Sequence, residues 1–142
     1  MNQINQTKQS VEILRPLAMR AVQIKLEQLL ATVPAIIGAF LATDDGFELT
    51  HAVSGTELEP ARLAAMCSSM IALSHALVQE SDLGESENLL IEAKKGKIIL
   101  LTIVSQTRLS LTVLARPSAT LGQVLVHSKI CAEAIKQVFA MN

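Results

Sequence analysis

From Leu63 to Gln79 the chain carries no Asp, Glu, Lys or Arg. Leu63, Met66, Met70, Leu73 and Leu77 recur at heptad-like spacing, so the segment predicts a helix with one continuous apolar stripe. Cys67, Ile71 and Val78 widen that stripe to about half the circumference, taking 100° per residue. The remaining arc is small, with Ala65, Ala72, Ala76, Ser68 and Ser69, and only His75 and Gln79 are larger. A surface helix keeps charges on its outer side, so a helix uncharged all round needs cover on both sides. One cover is its own domain core. The other is expected to be a second copy of the same helix, because small residues let two backbones approach and Met adapts to irregular packing. The alternative is that the first helix of the same chain lies over it.

The rest of the pattern reads as one α/β (α+β) domain of the order αββαβββα. A first helix has Pro16 in its opening turn, where a missing N–H costs nothing. Its stripe is Met19, Val22, Leu26, Leu29 and Leu30, and Pro34 ends it. Residues 1–9 are polar and expected to fray, and residues 1–16 form an extension ahead of a domain covering 17–142. Strands follow at Ala35–Thr43 and Phe47–Val53, joined by Asp44-Asp45-Gly46, whose Asp-Gly pair supplies positive φ. Thr56 to Pro60 opens the long second helix, and Leu83-Gly84 closes it. Asn88–Ala93 is a third strand and Lys94-Lys95-Gly96-Lys97 a hairpin tip. Ile98–Val104 is unbroken apolar, as in an interior strand covered on both faces. Leu109, Leu111 and Val113 alternate with Ser110 and Thr112 in a fifth strand. Thr120, three residues before Gln123, caps a last helix with the stripe Leu121, Val124, Leu125, Cys131, Ala132, Ile135, Val138 and Phe139. Short hairpins imply a mainly antiparallel five-stranded sheet, with a long helix on one face and two helices on the other.

Composition sharpens the question of cover. Half of the 142 residues are hydrophobic, only 18% are charged, and 2% are aromatic. A small chain this apolar is expected to hide part of its surface in a partner. Formal net charge is −1, so there is no basic face for phosphates, and without aromatics there is little to stack on bases; no nucleic-acid partner is expected. No signal-peptide core and no apolar run of membrane-spanning length is read from the sequence, which places the chain in the cytoplasm. Cys67 and Cys131 each sit in an apolar helical stretch and read as buried reduced thiols rather than a disulfide or zinc site.

Reactive constellations are sparse. No Gly-Lys-Ser/Thr phosphate loop and no Gly-x-Ser-x-Gly elbow occurs, so neither nucleotide binding nor a serine nucleophile is expected. His51, His75 and His127 lie on a strand and two different helices; His75, in the uncharged helix, is expected to be hydrogen-bonded at the edge of an interface. Asp44 and Asp45 read as turn residues rather than metal ligands. Lys94, Lys95 and Lys97 read as a solvated tip. Arg62, Arg108 and Arg116 are conceivable as fingers reaching into a partner's active site, although nothing favours one of them. No catalytic residue, cofactor or metal is expected, and the chain is read as a binding protein rather than an enzyme.

The segments Pro34-Ala-Ile-Ile-Gly-Ala-Phe-Leu, Asp45-Gly46, the uncharged second helix, the Gly96 hairpin, Leu111-Thr-Val-Leu-Ala115 and Leu121-Gly122 occur in an order that resembles the Roadblock/LC7 family over roughly residues 17–140. Leu121-Gly122 opens the last helix as in many bacterial members. The resemblance implies a homodimer in which second helices pack together and third strands join two sheets into one. It also implies a Ras-like small GTPase as partner, whose nucleotide cycle some members modulate by organising the GTPase's own residues, or service as a light-chain-like scaffold. The first helix is longer than the family's usual opening helix. The expected interface is Ala65, Met66, Ser69, Met70, Ala72, Leu73, Ala76 and Leu77 with Leu89, Leu90 and Ile91. A nucleotide-independent structural adaptor and a small-ligand sensor are the alternative functions.

Overall fold

The computed structural model describes residues 2–55 and 57–140, with side chains described from residue 16 onward. The elements are α1 (Asn2–Thr32), β1 (Ile36–Thr43), β2 (Glu48–Val53), α2 (Pro60–Glu80), β3 (Asn88–Ala93), β4 (Gly96–Val104), β5 (Arg108–Ala115) and α3 (Leu121–Ala140). The five strands form one sheet in the order β2-β1-β5-β4-β3, and every neighbouring pair is antiparallel. The expected order and layering of an α+β fold are therefore present. β2 and β3 are the edges.

Two cores lie on opposite faces of the sheet because side chains alternate along each strand. Ile99, Leu101 and Ile103 of β4 point to α1 and α3, where Val22, Leu26, Leu29, Val124, Cys131 and Ile135 seal them. Leu100 points the other way, joining Phe40 and Ala42 beneath Ala64, Cys67 and Ile71 of α2. This two-sided cover holds over Ile99–Leu101; on the α2 face Ile98 and Thr102 are only half-buried and Val104 is exposed. The layers are unequal: among the described residues nineteen buried side chains form the α1/α3 core and six the α2 core. α2 packs chiefly on β1, β2 and β5, and Leu89, Ile91 and Ile98 remain half-buried beside it.

The β1–β2 hairpin docks α2. Gly46 takes φ +94° and donates its N–H to the Thr43 carbonyl at 3.0 Å. Thr43 Oγ1 accepts the Phe47 N–H at 3.0 Å and donates to the Asp45 carboxylate at 2.6 Å. Ser68 Oγ donates to the Asp44 carbonyl at 2.8 Å, tying the turn to the helix. A Cβ on Gly46 would lie 3.3 Å from the Ala65 Cα, so glycine is needed for the close approach as well as for φ. Asp44 and Asp45 thus serve the turn.

Three details differ from the sequence reading. Pro16 lies inside α1, not in its first turn, because the helix continues back to Asn2. There it removes the hydrogen bond to the carbonyl four residues earlier, and its ring stands exposed. Secondly, α2 closes on Asp82 rather than Gly84: Asp82 takes φ +56°, with Leu83 N–H on the Val78 carbonyl at 3.2 Å and Asp82 N–H on the Gln79 carbonyl at 3.1 Å. This paired 6→1 and 5→2 closure needs a left-handed residue, and Asp tolerates that conformation better than most. Thirdly, Lys97 leaves the hairpin tip and donates Nζ to the Ala119 carbonyl, while Lys94 and Lys95 stay exposed. The last helix is capped as expected, the Gln123 N–H donating to Thr120 Oγ1 at 3.1 Å. Thr56, expected to open the second helix, lies outside the described residues.

Candidate interaction surface

α2 presents two faces. Ala64, Cys67 and Ile71 turn to the sheet and are buried. Met66, Met70, Leu73 and Leu77 turn outward, with Met66 57%, Leu73 72% and Leu77 67% exposed. Ala65, Ser69, Ala72 and Ala76 are exposed with them. Among the described residues α1 does not supply the missing cover: its Val22, Leu26 and Leu29 pack with α3 on the opposite face of the sheet. The heptad-like stripe read from the sequence is thus split: Leu63 packs at the inner core and the other four face outward.

On the same face of the sheet, beyond β4, lies the β3 edge. β3 pairs with β4 along its whole length, and its other edge has no strand beside it in the sheet. Leu89 and Ile91 lie on the α2 face, half-buried against the Leu100 cluster. Leu90, opposite Ile99, points to the α1/α3 face and is 40% exposed. All the expected interface residues except Leu90 therefore share one side of the molecule; Leu90 does not, because successive strand residues alternate faces.

At the far end of α2 a cleft of about 330 Å³ is lined by His75, Gln79, Glu85, Ser86, Glu87, Thr102, Val104 and Arg108. Among the described residues the buried Nε2 of His75 has no hydrogen-bond partner. Periodicity gave no sign of this cleft, which gathers residues from α2, the following loop and two strands. His51 pairs with Glu48 at 2.6 Å three residues away, and His127 lines a separate groove between α1 and α3. Arg62 in α2, Arg108 in β5 and Arg116 in the loop after β5 are all exposed.

Both thiols are free and buried. Burial pushes the Cys67 pKa up, and it pushes Cys131 up to about 11 against the opposing pull of Lys25. Thiols held protonated in this way are poor nucleophiles and metal ligands. By length and composition alone α2 could cross a membrane, which corrects the expectation that no segment reaches that mark. The interspersed Ser and His do not offset so many Ala, Leu and Met. In the fold one side of the helix is committed to the sheet through Ala64, Cys67 and Ile71.

An open antiparallel sheet with two helices behind it, one helix bare on its outer side and an unpaired apolar edge next to that helix defines an α+β interaction module. The chain belongs to the Roadblock/LC7 domain family, whose profile matches residues 23–115. Among solved structures it is similar to the gliding protein mglB from Thermus thermophilus, with TM-score 0.79 and 19% identity over 88% of this chain and 93% of that one. It is also similar to an MglB with a tetrameric arrangement, with TM-score 0.79 and 20% identity over 87% of this chain and 91% of that one. A Roadblock/LC7 domain from Streptomyces avermitilis aligns with TM-score 0.74 and 18% identity over 84% of this chain and 98% of that one. Comparison with curated proteins finds no match.

Proposed function

We propose that this protein is a homodimeric adaptor or regulator that binds a Ras-like small GTPase and modulates its nucleotide cycle, without a catalytic side chain of its own. The observation that carries the proposal is the outward stripe of Met66, Met70, Leu73 and Leu77, which none of the described residues covers. Apolar surface left in water at this scale favours a second protein surface over it. Isologous pairing about a two-fold axis would cover α2 with its own copy and place the β3 edges side by side. The tetrameric arrangement of one MglB supports self-association in this fold. Membership of the Roadblock/LC7 family supports the GTPase as partner. The two buried thiols are in keeping with a reducing cytoplasm.

The test is co-purification with Ras-like GTPases from native extracts, carried out with GDP and with a non-hydrolysable GTP analogue. Nucleotide-dependent recovery of a GTPase supports the reading. Recovery of the same partners irrespective of nucleotide assigns the protein to structural scaffolding instead, and absence of any GTPase at native levels refutes the regulator.

A further inference from the structure

The segment containing β3 is ordered by charge. Glu85 and Glu87 stand at its start, Leu89-Leu90-Ile91 occupy its middle, and Lys94 and Lys95 stand at its end. These four are exposed, as is Glu92 in β3 itself, and among the described residues none of the five forms an ion pair within its own subunit. We propose that this order makes the β3 edge complementary to itself, so that it selects a second copy of this chain and fixes the register in which the two copies meet. The inference rests on the edge-to-edge dimer proposed above and names what makes that edge specific.

The geometry is restrictive. Two copies whose α2 helices lie on one common face are related by a two-fold axis perpendicular to the sheet, and their β3 strands run antiparallel. Residues that oppose each other then point to the same face. Leu89 and Ile91 point to the α2 face and Leu90 to the other, so odd-numbered positions must meet odd and even must meet even. Setting Leu90 against Leu90 of the second copy opposes Leu89 to Ile91 and Asn88 to Glu92 and keeps the apolar middle centred. A slip of one step sets Ile91 against Ile91 but Glu92 against Leu90, and a further step sets Glu92 against Glu92. In the centred register the acidic approach to β3, Glu85 and Glu87, runs alongside the Lys94-Lys95 turn of the second copy, twice per dimer by symmetry. Parallel addition would lay acid on acid and base on base. Directly opposed like charges destabilise strand pairs and opposite charges favour them, so the segment admits its own copy and disfavours other registers. A chain of similar fold without acid at one end and base at the other would meet it with unpaired or repelling charges.

A charge exchange tests this. One variant carries Glu85→Lys and Glu87→Lys, making both ends basic; the other carries Lys94→Glu and Lys95→Glu, making both ends acidic. Exposed pairs contribute little singly but occur twice here, so each variant alone is expected to dimerise roughly tenfold more weakly than wild type in low salt. The loss should shrink at about 0.5 M NaCl, where screening shortens the reach of these charges to a few ångströms. Mixed one to one with distinguishable tags, the two variants should form heterodimer well above the statistical half by native mass spectrometry. A neutral variant, Glu85→Gln with Glu87→Gln, should fall between, and far-UV circular dichroism checks that all fold alike. If each variant dimerises as wild type in low salt, or the mixture scrambles statistically while the wild-type dimer persists, charge does not set the pairing and the proposal fails. A wild type that stays monomeric at high concentration overturns the dimer itself, and this inference with it.

Discussion

Replacing Leu73 by Ala separates the outer face of α2 from the fold that carries it. Leu73 is 72% exposed, so within the subunit its side chain makes few contacts to lose. Alanine is also the better helix former by a small margin, and the stability of the isolated subunit should stay within about 0.5 kcal/mol of wild type. At a symmetric α2–α2 interface the same change removes roughly three buried carbon groups from each copy, at about 0.8 kcal/mol each when burial is complete. Scaled by the fraction still open in the subunit, and counted for both copies, the loss is about 3 kcal/mol of dimerisation free energy. That corresponds to a dissociation constant raised roughly a hundredfold. Sedimentation equilibrium across a wide concentration range measures it, and urea unfolding at a dilution where both proteins are monomeric supplies the control. An unchanged dissociation constant would show that Leu73 is outside the interface. A subunit destabilised by as much as the dimer would show that Leu73 belongs to the fold, and the argument from its exposure would be wrong.

Other expectations concern the fold itself. Gly96→Ala should destabilise by about 1–3 kcal/mol in urea unfolding, because its Cβ would strike the Ala115 carbonyl oxygen of the neighbouring strand. Ser128→Ala should raise the melting temperature, since among the described residues the buried Ser128 hydroxyl of α3 has no hydrogen-bond partner and its removal relieves about 1 kcal/mol. Alkaline pH should weaken the fold through the thiols. Above the ordinary thiol value of 9.0 the unfolded chain releases protons that folded Cys131 keeps until about 11, so stability falls as pH rises through that window. Cys131→Ala should flatten this slope in a melting series from about pH 8 to pH 10.5, and with no Tyr in the chain no phenol titration overlies it.

Much of the architecture was legible in the residues. The Asp45-Gly46 turn, the cap at Thr120 and the apolar stripe of α3 are local devices whose geometry follows from neighbours three or four positions away. The apolar run from Ile98 announced an interior strand, but cover on both faces is complete only around Leu100, and Val104 at its end stays exposed. Pro16 misled, because the penalty for proline inside a helix is local and the residues on both sides still favour helix. Asp82 took the left-handed position where Gly84 was expected, since the point of helix closure is set by which carbonyls the loop can satisfy.

From the chain alone it could be said that α2 needs cover on two sides, because an uncharged helix periphery is a property of composition and period. Which side meets the sheet, and that α1 lies on the far face and, among the described residues, does not serve as the second cover, depended on the strand order β2-β1-β5-β4-β3 and on where the helices cross it. The same holds for Leu90 pointing away from its neighbours and for His75 stranded in a cleft built from four segments. Local sequence fixes dihedrals and periodicity; exposure is a relation among segments distant along the chain, and only their packing decides it.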